Sequence, residues 1–380
     1  MLPLNWQKVR LGDIAEIKRG ASPRPIENPK WFCTNSNVGW VRISDISKNS
    51  RFLYKTAQKL SKKGIEKSRF IKQNSLIMSM CATIGKPIIT KIDTCIHDGF
   101  VVFENPKIDL NYLYYFLCYI EKEWLESGQQ GSQVNLNVDL IKNKEVFCPK
   151  DLDEQAAIAN ILSDVDRYLY SLDALILKKE SVKKALSFEL LSQRKRLKGF
   201  NQAWQRVRLG DILSYEQPTK FLVATTQYLQ KGFTPILTAG KTFILGYTND
   251  KHGIYTNIPV IIFDDFTTDS KMVNFPFKVK SSAIKILSLR DNNQADLKYI
   301  YEKLTLLKHQ VTDHKRYWID EFSNIEILLP PLNEQAAIAN ILSDVDSEII
   351  SLKNKKRQFE NIKKALNHDL MSAKIRVLNK

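Results

Sequence analysis

The sequence has few cysteines, and none of them has the spacing of metal ligands or of a disulfide framework. There are five in 380 residues, they include no CxxC pair, and their number is odd. This pattern argues against a structural zinc site and against a set of disulfides. We therefore expect no metal site in this chain.

Long apolar runs are absent as well. No stretch approaches the roughly 18 consecutive apolar residues of a membrane-spanning helix, and the N-terminal segment MLPLNWQKVRLGD lacks the apolar core of a signal peptide. The composition is 43% hydrophobic without a low-complexity tract, which is typical of globular domains. These features predict a cytoplasmic protein with no membrane partner.

Signatures of catalysis are also missing. There is no GxGxxG loop and no Walker motif, so neither a dinucleotide site nor an ATP site is indicated. The acidic group Asp264, Asp265 and Asp269 lies in one short segment, where its spacing is too compressed for a metal-dependent nuclease. We expect no catalytic residue and no cofactor in this chain.

Positive charge is plentiful. Lysine and arginine number 57 against 41 acidic residues, which gives a net charge of +16. An excess of this size favours a polyanionic partner, either nucleic acid or an acidic membrane surface, and charge alone does not choose between them. A chain of 380 residues also exceeds the usual size of one domain, so at least two domains are expected.

Two motifs occur twice. The start motif WQKVRLGDI (6–14) returns as WQRVRLGDI (204–212), and the helix motif LDEQAAIANILSDVD (152–166) returns as LNEQAAIANILSDVD (332–346). The segments between each start motif and the next helix motif look unrelated. Such a pattern suits a protein that holds two different readers in one fixed geometry. An ordinary gene duplication with one decayed copy is the alternative.

Each helix motif begins a long helix with apolar residues at alternating steps of four and three, the seam of a coiled coil. Asp153 and Asn333 are the expected N-caps, and Gly199 is the expected end of the first helix. We expect the two helices to pack as an antiparallel pair; packing of each helix on its own domain is the alternative. The predicted seam consists of Ile158, Leu162, Val165, Leu169, Leu172, Ile176, Ile338, Leu342, Val345, Ile349, Leu352 and Phe359.

The variable segments are candidate DNA readers, because local excesses of lysine and arginine supply phosphate contacts. The alternative is that such a run of charged residues forms a solvated surface and binds nothing. The candidates in the first segment are Arg42, Lys48, Arg51, Lys55, Lys62 and Lys63. Those in the second segment are Lys220, Lys241, Lys251, Lys271, Lys315 and Arg316.

Short strand-like runs such as GFVVF and IPVIIF alternate with helical stretches, which indicates α+β domains. We predict recognition domains at 1–150 and 200–330, and conserved coiled-coil helices at 151–199 and 331–380. The predicted fold is therefore two globular domains with mixed sheets, joined by two long antiparallel helices with pseudo-twofold symmetry.

The repeated motifs, together with CATIGKPII (81–89), GSQVNLNVDLI (131–141) and the region 255–287, resemble the specificity subunits of type I restriction-modification systems. The order of the motifs matches over essentially the whole chain. One departure is HQVTDHKRYWID (309–320), which stands where the first half has GSQVNLNVDL.

The resemblance implies a non-catalytic subunit that reads a bipartite, asymmetric site in double-stranded DNA, one half-site per domain. It implies two methyltransferase subunits and motor-nuclease subunits as partners, which would carry S-adenosylmethionine, ATP and Mg²⁺. Three alternatives stay open: a specificity subunit of another methylation-based phage defence, an autonomous enzyme, and a coiled-coil adaptor that binds only proteins.

Overall fold

The computed structural model describes residues 3–49, 51–126, 136–224, 227–240, 242–307 and 316–377. The chain divides into two compact units. The first comprises Met1–Leu172 with Lys355–Lys380, and the second comprises Asp173–Asn354. Both divisions fall within long helices, so each unit contains part of both. Among the described residues, no helix is long and apolar enough to span a membrane.

The first unit combines small sheets with short helices. Its strands are β1 (Trp6–Arg10), β2 (Glu16–Arg19), β3 (Gly39–Val41), β4 (Phe52–Leu53), β5 (Gln58–Lys59), β6 (Arg69–Ile71), β7 (Leu76–Ser79), β8 (Pro87–Thr90), β9 (Thr94–Ile96), β10 (Phe100–Glu104) and β11 (Glu145–Pro149). Its helices are α1 (Leu11–Ile14), α2 (Ile43–Ser47), α3 (Lys62–Glu66), α4 (Leu110–Tyr119), α5 (Glu121–Glu126), α6 (Val138–Asn143) and the first part of α7 (Leu152–Leu191).

The strands of the first unit form mixed sheets in the orders β2-β10-β7-β8-β4 and β5-β3-β9-β6, and β1 pairs with β11. Every residue of β7 and β8 is buried, because one face of their sheet packs on α4 and the other on a second apolar cluster. Leu76, Ile77 and Met78 are therefore all apolar, without the apolar-polar alternation of a strand that has one solvated face. Tyr112 and Tyr115 of α4 are fully buried in the same core.

The second unit follows the same plan with fewer strands described. They are β12 (Gln205–Arg208), β13 (Leu213–Glu216), β14 (Thr234–Leu237), β15 (Ile244–Thr248), β16 (Val260–Asp264), β17 (Ser270–Val273), β18 (Lys278–Val279), β19 (Ile284–Leu289) and β20 (Glu326–Leu329). Its helices are α8 (Leu209–Ile212), α9 (Leu297–Leu306), α10 (Tyr317–Asp320) and the first part of α11 (Leu332–Met371). The strand orders are β13-β19-β16-β17 and β15-β14-β18, and β12 pairs with β20.

The repeated motifs occupy equivalent places in the two units. Each start motif forms a strand, β1 or β12, followed by a one-turn helix, α1 or α8. Each of these strands pairs antiparallel with the strand that leads into a long helix, β11 or β20. The start motif and the helix motif are thus neighbours in space although variable segments separate them in sequence.

The long helices α7 and α11 each have 40 residues, which corresponds to about 60 Å. The predicted caps were misplaced. Asp153 and Asn333 lie inside the helices, and Asp151 caps α7 by accepting a hydrogen bond from the Asp153 amide at 2.9 Å. The first helix ends at Leu191, before the expected Gly199.

Within each unit, the start of one long helix lies against the end of the other. In the first unit Asp166 binds Lys363 at 2.5 Å, and Tyr168 packs on Phe359. The second unit has Lys179 bound to Glu348 at 2.7 Å. Residue numbers rise along one helix as they fall along the other, so the pairing is antiparallel.

All twelve predicted seam positions are buried or half-buried. The buried ones are Ile158, Leu162, Leu172, Ile176, Ile338, Leu342 and Ile349; the half-buried ones are Val165, Leu169, Val345, Leu352 and Phe359. The starts of both helices also pack on the globular part of their own unit, so the two predicted alternatives coexist. The α+β class and the antiparallel helix pairing are confirmed.

Candidate nucleic-acid interface

Five of the six basic residues predicted to bind DNA in the first unit are exposed: Arg42, Lys48, Lys55, Lys62 and Lys63. They lie around the sheet that contains β3 and β5, with Lys62 and Lys63 in the first turn of α3. Arg42 also donates a hydrogen bond to Gln58 Oε1 at 2.9 Å. Their charge is thus available to a phosphate backbone.

Arg51 is the exception, because its side chain lies inside the first unit. It is 7% exposed and donates hydrogen bonds to Tyr115 Oη at 2.9 Å, Ser163 Oγ at 2.7 Å and Asn111 Oδ1 at 2.7 Å. Its guanidinium also packs over the ring of Phe52. The assignment of Arg51 to DNA contact was wrong, since this group ties the domain to α4 and α7.

In the second unit, Lys220, Lys251 and Arg316 are exposed as predicted. Lys271 is half-buried, with its ammonium 4.4 Å from the centre of the Phe243 ring. The two remaining candidates, Lys241 and Lys315, lie outside the described residues, as do 131–135 and 309–315 of the segments compared above.

The sequence did not single out a polar group that we call the Asp98 cluster: Arg19, Ser22, Arg24, Arg69, His97 and Asp98. Asp98 accepts hydrogen bonds from Ser22 Oγ at 2.9 Å and from Arg24 Nη2 at 2.9 Å. Its backbone carbonyl accepts from Arg19 Nε at 2.7 Å, and the Arg19 carbonyl accepts from Arg69 Nε at 3.1 Å. One arginine therefore pairs with the Asp98 carboxylate, and the other two join the cluster through backbone carbonyls.

The backbone brings this cluster together where several strands end. Arg19 is the last residue of β2, Arg69 is the first of β6, and Asp98 lies in the turn between β9 and β10. Gly20 permits the approach, because a Cβ atom there would clash with the His97 carbonyl. A small cavity of about 310 Å³ opens beside Arg19, Cys81, His97 and Asp98.

The electrostatics of the cluster are set by its own members. Partial burial opposes ionisation of Asp98, but the hydrogen bond from Ser22 and the charge of Arg24 outweigh it and hold the pKa of this carboxyl below its ordinary value. Burial lowers the pKa of His97, with Arg42 adding to the effect and Asp98 opposing it. His97 Nδ1 accepts a hydrogen bond from the Gly99 amide at 2.9 Å, which fits a neutral imidazole.

The repeated helix motif has a structural explanation in its Glu-Gln pair. Glu154 accepts hydrogen bonds from Asn5 Nδ2 at 2.7 Å and Trp6 Nε1 at 3.4 Å. In the second unit Glu334 accepts from Trp204 Nε1 at 3.1 Å. Each helix motif is therefore bonded to the tryptophan of its own start motif.

The neighbouring glutamine joins the same helix to the variable segment. Gln155 Oε1 accepts from the amide of Asp109, the residue that caps α4, at 2.8 Å. Gln335 Oε1 accepts from the amide of Asp296, which caps α9, at 2.9 Å. The Glu-Gln pair thus fixes one helix of each variable segment to the repeated scaffold.

The acidic group that superficially resembled a nuclease site is structural. Asp265 is buried, pairs with buried Lys285 at 2.8 Å and accepts a hydrogen bond from the Trp318 amide. Asp264 accepts hydrogen bonds from the Gly240 and Phe266 amides. Among the described residues, no group of three or more histidine, cysteine or acidic side chains is placed to hold a metal ion.

Comparison with known proteins gives one consistent answer. The sequence matches the family described as "Type I restriction modification DNA specificity domain" over residues 3–179 and 201–361. It is 47% identical over 166 residues to the specificity subunit of an Escherichia coli type I restriction enzyme, covering 42% of this chain and 39% of that protein. The chain thus aligns with well under two thirds of that relative's length.

Two matches extend over the whole chain. A type I restriction enzyme specificity subunit of Methanocaldococcus jannaschii is 23% identical over 421 residues, which covers 100% of this chain and 95% of that protein. The crystal structure of a type I restriction-modification S subunit from M. genitalium superposes with a TM-score of 0.63 at 16% identity, covering 97% of this chain and 98% of that one. The fold is shared over nearly the whole length of the chain.

Proposed function

Since the chain belongs to the family of type I restriction-modification DNA specificity subunits, we propose that it reads a bipartite, asymmetric site in double-stranded DNA. Each variable segment contacts one half-site. The long helices provide docking surfaces for methyltransferase and motor-nuclease subunits. The chain supplies recognition, while S-adenosylmethionine, ATP and Mg²⁺ are bound by the partner subunits.

The observation that carries this proposal is a scaffold built twice around two different surfaces. Two hydrogen bonds recur in both units: one from the start-motif tryptophan to the glutamate of the helix motif, and one from the N-cap residue of α4 or α9 to the neighbouring glutamine. They fix each variable segment in the same way. The side chains exposed by the segments differ, with basic residues concentrated in the first and scattered in the second. One geometry with two surfaces suits the reading of two different half-sites.

Docking of two copies of one partner is supported by exposed positions that are identical in both helix motifs. Asn160 and Asp164 are exposed, and so are their counterparts Asn340 and Asp344. Packing does not dictate the identity of an exposed residue, so the fold alone does not require these matches. A partner that binds the same surface twice would require them.

The two units also present matching grooves. In the first unit, a cavity of about 600 Å³ lies between the end of α11 and α4, and Phe116, Tyr119 and Met371 line it. In the second unit, a cavity of about 690 Å³ lies between the end of α7 and α9, with Leu191 and Leu306 in its wall. Both grooves are partly apolar, which is typical of protein-binding surfaces.

The test is to co-express the chain with the methyltransferase subunit of its system and to map N6-methyladenine across a plasmid by single-molecule sequencing. We expect a motif of two short specified blocks around a fixed unread gap. A single contiguous motif, or no methylation despite a stable complex, would contradict the proposal. Purified chain alone should show no turnover of DNA with Mg²⁺ or S-adenosylmethionine.

A further inference from the structure

The two variable segments carry different side chains at one equivalent place in the fold. Arg19 lies 13 residues after Trp6 of the first start motif, and Gln217 lies 13 residues after Trp204 of the second. Arg19 ends β2, and Gln217 directly follows β13. Both strands pair antiparallel with the strand that precedes the capped helix of their unit, β10 or β19.

The two side chains make the same contact. Arg19 Nε donates a hydrogen bond to the backbone carbonyl of Asp98 at 2.7 Å, and Asp98 lies two residues before β10 begins. Gln217 Nε2 donates to the backbone carbonyl of Ser282 at 3.4 Å, and Ser282 lies two residues before β19 begins. Arg19 and Gln217 are both exposed.

Each of these contacts engages one N–H group of the side chain and leaves a further pair of polar groups that it does not use. With its Nε bound, Arg19 retains the two Nη groups that form a bidentate donor fork, which matches the N7 and O6 acceptors of guanine. With one N–H bound, Gln217 retains a second N–H and its Oε1, which match N7 and the N6 amino group of adenine.

The surroundings of Arg19 favour a base edge over a phosphate. The hydrogen bond from its Nε to the Asp98 backbone carbonyl restricts the orientation of the guanidinium, whereas the contacts of the described residues show no such tether on Lys62 or Lys63. A phosphate contact depends chiefly on net positive charge. A base contact depends on the orientation of donors and acceptors, which the backbone contact restricts here.

We propose that Arg19 and Gln217 contact DNA bases and occupy equivalent positions in the two recognition domains, an inference that rests on the proposed function. Arg19 reads a guanine in the half-site of the first domain. Gln217 reads an adenine in the half-site of the second. The asymmetry of the DNA site thus arises in part from an arginine-to-glutamine difference at one place in a duplicated fold.

The experiment maps methylation by complexes of the methyltransferase subunit with the wild-type chain, with Arg19→Ala, with Arg19→Lys and with Gln217→Ala. Arg42→Ala is the matched control, because it removes an exposed arginine that is not in the Asp98 cluster. We expect Arg19→Ala to relax one G·C position in one block by about 5- to 150-fold in relative methylation. Arg19→Lys, which keeps the charge and loses the fork, should relax the same position.

Gln217→Ala should relax one A·T position in the other block, and Arg42→Ala should lower methylation equally at all sites without changing the motif. Uniform weakening by Arg19→Ala with an unchanged motif would make Arg19 a phosphate contact and overturn the inference, while the split wild-type motif would leave the proposed function standing. Absence of a split motif with the wild-type chain would overturn both. Thermal melting of the Arg19→Lys chain establishes that its fold is retained.

Discussion

The buried carboxylate of Glu334 is bound by the guanidinium of Arg196 through two atoms, Nη2 at 2.6 Å and Nε at 3.1 Å. The same carboxylate accepts from Trp204 of the start motif. Glu334 lies in the first turn of α11, Arg196 lies just beyond the end of α7, and Trp204 is the first residue of the second start motif. One side chain thus joins the start of α11 to two groups that lie 138 and 130 residues earlier in the sequence.

Glu334→Gln should therefore lower the melting temperature of the second unit. An amide offers only one acceptor oxygen where three N–H groups converge, and it leaves the arginine without its partner charge. Glu326→Gln is the control, since the pair of Glu326 with Arg206 is exposed and such pairs contribute little. Equal melting temperatures for the two variants, measured by calorimetry, would refute this explanation.

Arg51→Met should destabilise the first unit by about 2–4 kcal/mol, because one buried and two half-buried hydrogen-bond acceptors lose a charged donor. Lys55→Met removes the same charge from an exposed position and should leave the free energy of unfolding nearly unchanged. Denaturant titration of both variants checks this. If Lys55→Met lost stability and Arg51→Met did not, the interior role assigned to Arg51 would be wrong.

Replacing Lys62 and Lys63 together by alanine should weaken DNA binding without altering the methylated motif. Each phosphate contact contributes about 0.9 to the slope of log K against log salt. The double variant should therefore reduce that slope by about 2, as fluorescence anisotropy at several salt concentrations would record. An unchanged slope would show that these lysines face solvent in the complex.

The stability of the first unit should decline as the pH falls below the ordinary pKa of histidine. Burial lowers the pKa of His97 in the folded state, so the unfolded chain takes up a proton at a higher pH than the folded one. The contribution is fully present above about pH 6.5 and is lost as the pH falls toward the folded pKa. His97→Gln should flatten this dependence in thermal melts; an equally steep decline in the variant would exclude His97 as its source.

Asn160→Arg and Asn340→Arg should each remove one methyltransferase subunit from the complex, and the double variant should remove both. Asn160 and Asn340 are exposed at the same position of the two helix motifs. Each substitution should therefore block the binding of one copy of the partner. Ser347→Arg is the control, because it places in the second helix the arginine that Arg167 already provides in the first. Native mass spectrometry counts the bound subunits, and retention of both by the double variant would contradict this docking surface.

The sequence predicted the parts of the fold that depend on local pattern. The repeated motifs located the scaffold. The apolar spacing located the seam positions on both long helices, including Ile158 and Phe359, because burial along a helix follows its period. The helix ends were less predictable. Asp151 competes with Asp153 as a cap, and Gln193 adopts the left-handed conformation usually taken by glycine, with φ of 63°.

The proposed recognition surface depends on contacts between residues that are distant in sequence, which local composition does not reveal. Arg51 lies in a basic run yet binds Asn111 and Ser163, 60 and 112 residues away. Arg19 and Asp98 meet only because the ends of their strands converge. The equal spacing of Arg19 and Gln217 from the start-motif tryptophans was a signal available in the sequence, and it gained meaning once both were seen to contact equivalent carbonyls.

The most direct test of the central claim is to place the first reader in both positions of the scaffold. The variable segment between the second start motif and the second helix motif is replaced by the corresponding segment of the first, and methylation is mapped with the same partner subunit. Because the helices pair antiparallel, the account predicts a site made of the first half-site and its inverted copy around a gap. Retention of the original asymmetric site would contradict the claim that each variable segment reads its own half.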